Sequence, residues 1–66
     1  MRTGLKRKRE EWGHTQKTLA EAIGLSEVGY SLIEQGKRDG TLATWKKIKS
    51  ALRIPDKEMW PTMAEE

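Results

Sequence analysis

Few side chains in this sequence belong to the types that carry out acid–base, nucleophilic or metal chemistry. The 66 residues include one histidine, His14, and no cysteine, so a thiol nucleophile, a disulfide scaffold and a Cys- or His-rich metal site are excluded. The acidic pairs Glu10-Glu11 and Glu65-Glu66 are adjacent along the chain, without an enclosing cleft that would adapt them to proton transfer. We therefore predict that the chain is not an enzyme and uses no catalytic residue, cofactor or metal.

The basic residues are the other chemically active group, and they are unevenly distributed. The net charge is +3, but residues 1–9 carry +5, residues 10–35 carry −4, residues 37–53 carry +5 and residues 54–66 carry −3. Two basic segments around an acidic one are typical of solvated helix faces, and equally of two contacts with a phosphate backbone. Charge alone does not choose between these interpretations.

The elements that must position these residues are short helices. Regularly spaced glycines divide the chain into short segments, within which apolar residues recur at helical rather than alternating spacing. Thr15, Ser26 and Thr41 are typical N-cap residues. A last short turn is expected to stop at Pro61, and residues 62–66 are expected to fray. The sequence predicts an all-α fold of five short helices.

The apolar residues of these segments form one predicted core. Its expected members are Leu5, Trp12, Leu19, Ala20, Ile23, Leu25, Tyr30, Ile33, Leu42, Trp45, Ile48, Leu52 and Ile54. No apolar run approaches the roughly 18 residues of a membrane span, and no signal-peptide core follows Met1. A cytosolic protein is therefore expected.

The most specific pattern lies in residues 15–36. Two short helices are joined by a turn at Gly24-Leu25-Ser26, and Ala20 is small enough to let them cross closely. Such a pair presents its second helix as a ridge that fits a B-DNA major groove about 12 Å wide.

This segment resembles the helix-turn-helix of the phage repressor family, the Cro/CI-type or XRE-type DNA-binding domain. The matching residues are Gln16, Leu19, Ala20, Gly24, Ser26, Ile33 and the ending Glu34-Gln35-Gly36-Lys37, where the family typically has Glu-Asn-Gly-Lys. The resemblance covers roughly residues 4–60. It implies that residues 1–66 form a single compact five-helix domain of the lambda-repressor type. It also implies a cytoplasmic, nucleoid-associated protein encoded by a bacterium or a phage.

The resemblance assigns DNA contacts residue by residue. Base edges would be read from the second helix of the motif, by Glu27, Val28, Gly29, Ser31 and Leu32. Phosphates would be contacted by Thr15, Gln16, Ser26, Gln35, Lys37, Arg38 and Thr41. Arg9 and Glu34 match a charged pair that ties the first helix to the end of the third and has a structural role.

The sequence departs from the family at the residues that would read DNA. The reading positions hold no Arg, Lys, Gln or Asn; Glu27 is suited to cytosine N4, and Val28 to a thymine methyl. Affinity would then depend on phosphate contacts from Lys37, Arg38 and the basic amino-terminal segment, with strong salt dependence and modest base discrimination. Gly40 stands where the family often has proline, which predicts a looser loop, and Arg53 replaces a frequent glycine.

We predict a transcriptional regulator, a repressor, that binds double-stranded operator DNA as a homodimer. Met59, Trp60 and Met63 are the dimer-interface candidates, with capping of the monomer's own core as the alternative for them. The alternative function is a protein-interaction module of the same fold, antirepressor-like or antitoxin-like, that binds a second regulatory protein. No membrane and no small-molecule ligand is expected as a partner.

Overall fold

Five helices make up the part of the chain that the computed structural model describes, residues 1–64. They are α1 (Thr3–Glu11), α2 (Gln16–Ile23), α3 (Glu27–Glu34), α4 (Leu42–Leu52) and α5 (Asp56–Ala64). Residues 1–64 contain no strand, so the predicted all-α fold of five helices is confirmed. Within the same range, no helix is long and apolar enough to cross a membrane.

Local sequence signals set where three of these helices begin. The side chains of Thr15, Ser26 and Thr41 each accept a hydrogen bond from the backbone N–H three residues further on, at 3.0, 3.0 and 3.1 Å. At α2 the Thr18 hydroxyl also accepts from the backbone N–H of Thr15, which completes a capping box. These contacts satisfy N–H groups that have no partner within the helix, so the chain enters each helix at the predicted residue.

The buried core contains ten hydrophobic residues: Leu5, Leu19, Ala20, Ile23, Tyr30, Ile33, Trp45, Ile48, Leu52 and Ile54. Leu25 is partly buried and packs against it. The expectation was wrong for Trp12 and Leu42, which are 48% and 51% exposed. Trp12 follows the last residue of α1 and packs its ring on the Arg53 guanidinium, at 5.2 Å from the ring centroid. Leu42 is the first residue of α4, and the buried face of that helix begins one turn later, at Trp45.

Arg2 ties the two ends of the fold together. It is 2% exposed. Its guanidinium donates to the carbonyl oxygens of Ile33, Arg38 and Met63, the last two at 2.9 and 3.0 Å. The same group lies 5.4 Å from the centroid of the Trp45 ring. Arg2 is therefore a structural residue, and the prediction that the whole amino-terminal basic segment contacts phosphate is wrong for it.

The last helix is longer than the sequence predicts. α5 passes through Pro61 and ends at Ala64, so the expectations that Pro61 stops it and that the chain frays from residue 62 are wrong for residues 62–64. Although a proline removes one helical N–H, the Thr62 hydroxyl donates to the Glu58 carbonyl at 2.8 Å, and the carbonyl of Met63 is held by a buried guanidinium. Residues 65 and 66 of the predicted frayed tail lie outside the described range.

The loop before α4 is closely packed at Gly40. Its φ is +79°, a backbone angle that proline cannot adopt. A Cβ placed there would lie 3.1 Å from Trp45 Nε1 and 3.3 Å from Ile33 Cδ1. The Trp45 indole N–H donates to the Asp39 carbonyl at 2.7 Å, which fixes the same loop. The expectation of a looser loop is therefore wrong, because the glycine permits a close approach to the core.

Candidate nucleic-acid interface

The exposed side of α3 and the start of α2 form one shallow groove. Its volume is about 230 Å³, and its lining residues are Gln16, Glu27, Val28, Ser31, Leu32 and Gln35. We call this surface the α2–α3 groove. The structure thus brings together four of the five predicted base-reading residues and two of the predicted phosphate contacts.

The groove combines apolar and hydrogen-bonding side chains. Val28 is 69% exposed, and Leu32 is half-buried beside it. One turn apart on α3, the Gln35 amide lies 2.8 Å from the Ser31 hydroxyl oxygen. Glu27 occupies the first turn of α3, where the helix dipole favours its negative charge.

Gly29 is the fifth predicted base-reading residue, and its placement on the outward face is wrong. It is buried on the same side of α3 as Ile33, to which it is related by helical i, i+4 spacing. A Cβ on Gly29 would lie 3.0 Å from the Ser26 hydroxyl that caps α3, and 3.9 Å from Arg38 Nη1. Gly29 therefore allows close packing at the start of α3, and it offers no side chain to the groove.

A buried carboxylate supports the groove from beneath. Glu34 is completely buried and accepts hydrogen bonds from Arg9 Nε at 2.8 Å, from the Tyr30 hydroxyl at 3.2 Å and from the Gln16 amide nitrogen. Arg9 also donates to the His14 carbonyl at 2.7 Å. Arg9 is thus buried in the structural ion pair with Glu34 that the resemblance implied, and it faces the core instead of a phosphate.

Burial and charge act together on the groups around Glu34. Burial raises the pKa of Tyr30, and the neighbouring carboxylate raises it further because a phenolate would be repelled. Burial alone would lower the pKa of Arg9, but its hydrogen bond and charge interaction with Glu34 outweigh that effect and raise it. The carboxylate, the guanidinium and the neutral phenol therefore form one stable unit.

The remaining phosphate candidates lie at helix ends, either at the starts of α2, α3 and α4 or just after α3. Lys37 and Arg38 are exposed just after α3, and Arg38 lines a depression together with Thr41. The hydroxyls of Thr15, Ser26 and Thr41 accept the helix-capping hydrogen bonds described above. Other basic residues lie elsewhere, since Arg7 and Lys8 line a separate depression between α1 and α5. Along the chain, the exposed basic residues next to the groove residues are Lys17, which follows Gln16, and Lys37 and Arg38, which come after Gln35.

The three dimer-interface candidates differ in exposure. Trp60 is 64% exposed, whereas Met59 is half-buried. Met63 packs against the core cluster, which is the intramolecular arrangement that the sequence left open. Trp60 and Met63 also line a depression beside Gly40.

Sequence reasoning missed two contacts that shape the molecule. The burial of Arg2 has no local signal, because its partners lie 31 or more residues away along the chain. The contact between Arg53 and Trp12 has a partial signal in the sequence, because Arg53 stands where the family often has glycine. In the structure this residue has a φ of +51°, in the left-handed region that favours glycine. Packing on an aromatic ring compensates there for an unfavourable backbone angle.

Comparisons with known proteins agree with this geometry. A helix-turn-helix family model matches residues 5–59. Over 57 residues, the chain is 37% identical to the type II methyltransferase M.SsoII of Shigella sonnei. That similarity takes in 86% of this chain and 15% of the methyltransferase, so the chain spans a small part of that relative's length.

Proposed function

Since this chain belongs to the helix-turn-helix family of the Cro/CI (XRE) type, we propose that it regulates transcription by placing α3 in the major groove of an operator. DNA binding by a regulator follows from the family. Insertion of α3, dimerisation and repression are the parts that we propose here. A regulator of this kind works in the cytoplasm, on the nucleoid.

The α2–α3 groove is the observation that carries this proposal. α3 has eight residues, and an α-helix with its side chains is roughly 10–12 Å in diameter, which suits a major groove about 12 Å wide. Its exposed side chains point away from the core. Lys37 and Arg38 follow it directly and are exposed, so they are suited to contact the phosphates that border the groove.

Lys37 provides the sharpest test of this orientation. We expect binding of a fluorescently labelled duplex, followed by anisotropy over a series of salt concentrations, to weaken as salt rises. Lys37→Ala should weaken binding to all sequences and reduce the salt slope by about 1. Lys57→Ala is the matched control, because Lys57 is an exposed lysine in α5. Along the chain it is separated from Lys37 by α4, a helix roughly 16 Å long. Equal effects of the two variants would contradict the proposed orientation.

We propose a homodimer because one short helix makes too few contacts for a tight operator complex. The exposed Trp60 ring is the strongest apolar candidate for the contact between copies. Sedimentation of the wild-type chain and of Trp60→Ala over a dilution series tests this. A concentration-dependent dimer that Trp60→Ala weakens is the expected result, and a monomer at every concentration would contradict it.

Repression would follow if the operator overlaps a promoter. Transcription in vitro from a template carrying the bound site should fall as the chain is added. A rise in transcript would identify an activator instead.

The chemistry of the groove favours a second candidate function. Glu27, Val28 and Leu32 present an acidic and apolar surface, which suits a basic, apolar segment of another regulatory protein. An antirepressor-like or antitoxin-like module would use the groove in this way. Absence of duplex binding even at low salt would favour this candidate over DNA binding.

We also propose that the chain carries out no catalysis itself. The methyltransferase that it resembles is matched over 15% of its length. The one histidine, His14, lies 3.1 Å from the Thr18 hydroxyl at the start of α2, beside a helix cap. Incubation of the purified chain with DNA and S-adenosylmethionine should give no methyl transfer, and transfer above a protein-free control would contradict the proposal.

A further inference from the structure

The orientation of the Gln16 amide is fixed by its buried partner. Glu34 Oε1 accepts from Arg9 Nε at 2.8 Å, and its other oxygen, Oε2, accepts from the Gln16 amide nitrogen. Gln16 must therefore direct its NH₂ group at Glu34, and its carbonyl oxygen, Oε1, points elsewhere. No buried side-chain nitrogen or oxygen in residues 1–64 lacks a hydrogen-bond partner. Within that range no donor contacts Gln16 Oε1, so this oxygen is not buried, and Gln16 lines the α2–α3 groove.

The groove as a whole therefore offers acceptors and apolar surface. Gln16 Oε1 and the Glu27 carboxylate are acceptors, and Val28 and Leu32 are apolar. The lining residues include no lysine or arginine. Ser31 and Gln35 hydrogen-bond to each other and are able to exchange donor and acceptor roles, so they adapt to either kind of base edge.

We propose that the α2–α3 groove selects A·T base pairs, with Gln16 reading an amino group instead of holding a phosphate. This inference rests on the proposed insertion of α3 into the major groove. An adenine presents its N6 amino donor to Gln16 Oε1 or to Glu27, and the thymine methyl packs on Val28 or Leu32. A G·C pair also offers one donor, cytosine N4, to an acceptor such as Glu27, but it has no methyl group for Val28 or Leu32. Its guanine presents O6 and N7, two neighbouring acceptors that the acceptors of the groove repel.

The first test is selection of bound duplexes by the full chain from a randomised pool. We expect A·T pairs at the positions that determine binding. Each thymine of the selected duplex is then replaced by deoxyuridine, which removes only the methyl group. Each adenine is replaced by purine, which removes only the amino group. We expect a loss of affinity of about 4-fold for a contacted methyl and about 5-fold for a contacted amino group. Guanines at the selected positions, or no loss with either analogue, would overturn the inference.

Two variants assign these losses to residues. Gln16→Met keeps the length of the side chain and removes its hydrogen bonds, so it should abolish the penalty at one purine-substituted position and leave the salt slope unchanged. If Gln16 holds a phosphate instead, the purine penalty will persist, and Gln16→Met will weaken binding to the parent and the purine-substituted duplex by the same factor; the salt slope stays unchanged in that case too, because a neutral amide releases no counterion. Val28→Ala changes an exposed residue that the fold does not need, and it should abolish the deoxyuridine penalty at one position.

The outcomes separate this inference from the proposed function. A chain that binds no duplex at low salt refutes the proposed function and the inference with it. A chain that binds DNA but selects guanines refutes only the inference. Since the base-analogue measurements use the wild-type chain, they decide whether the groove selects A·T pairs even if Gln16→Met fails to fold.

Discussion

Removal of Arg9 should leave an unpaired negative charge in the core. The side chain of Glu34 is 0% exposed, and Arg9 is the cation paired with it, with Nε 2.8 Å from Oε1. In Arg9→Met the methionine fills the space, but the carboxylate keeps only the neutral donors of Tyr30 and Gln16. Because an uncompensated buried charge is costly, we expect the free energy of unfolding to fall by about 3–5 kcal/mol.

This loss is large compared with the stability of so small a domain. At about 0.05–0.15 kcal/mol per residue, a chain of this length has a free energy of unfolding of roughly 3–10 kcal/mol. Arg9→Met should therefore be marginally folded or unfolded at 25 °C. Urea denaturation followed by tryptophan fluorescence measures the loss, because the buried Trp45 ring becomes exposed on unfolding.

The matched control lies on the same helix. Lys8→Met removes one positive charge next to Arg9, but its partner Glu11 is 3.9 Å away in an exposed pair. Such a pair contributes at most about 0.5 kcal/mol, so the control should remain as stable as the wild type. If Arg9→Met loses less than about 1 kcal/mol, or no more than Lys8→Met, the account of the buried carboxylate is wrong.

Three further predictions concern the backbone and the core. In urea denaturation, Gly40→Ala should lower the free energy of unfolding by about 1–3 kcal/mol, and the control Gly13→Ala by only about 1 kcal/mol. Both glycines have positive φ, but of the two only Gly40 has other atoms within 4 Å of an added Cβ. Equal losses would contradict the close contact at Gly40. Arg53→Gly relieves the positive φ, so it should raise the free energy of unfolding by about 1 kcal/mol when it is made in the Trp12→Ala variant. In the wild type the gain should be smaller, since the ring contact that is lost there contributes roughly 0.5–1 kcal/mol. Equal effects in both backgrounds would exclude that contact. Tyr30 is the only tyrosine, and its pKa is raised by burial and by the carboxylate beside it. The stability that it contributes is therefore complete below the ordinary pKa of about 10 and is lost as the pH rises above that value. Tyrosinate absorbance should appear only as the chain unfolds, and its appearance near pH 10 in the folded chain would be the contrary result.

The fold was predictable from local signals. Helix starts at Thr15, Ser26 and Thr41 depend on side chains that bond to the backbone a few residues away, so sequence alone contains the information. The inward face of α3 was also readable. The spacing of Gly29 and Ile33 places both on one side, although the resemblance to known reading helices suggested an outward Gly29.

Contacts between distant segments were not predictable in the same way. Helical spacing places Trp12 on the face of Leu5, but α1 ends at Glu11 and the chain turns away there. The burial of Arg2 requires the ends of α3 and α5 to meet at one point, which no local pattern encodes. The same limit applies to the α2–α3 groove, because the orientation of the Gln16 amide depends on its hydrogen bond to the buried Glu34 carboxylate.

Binding of double-stranded DNA through the α2–α3 groove is the proposal on which the others depend. Amide resonances of the isotopically labelled chain, followed during titration with a duplex at low salt, test it most directly. We predict that the resonances of Gln16, Val28 and Lys37 shift, while those around Lys57 at the start of α5 stay in place. Shifts confined to α5 and its neighbours, or no shift at any residue, would contradict the claim.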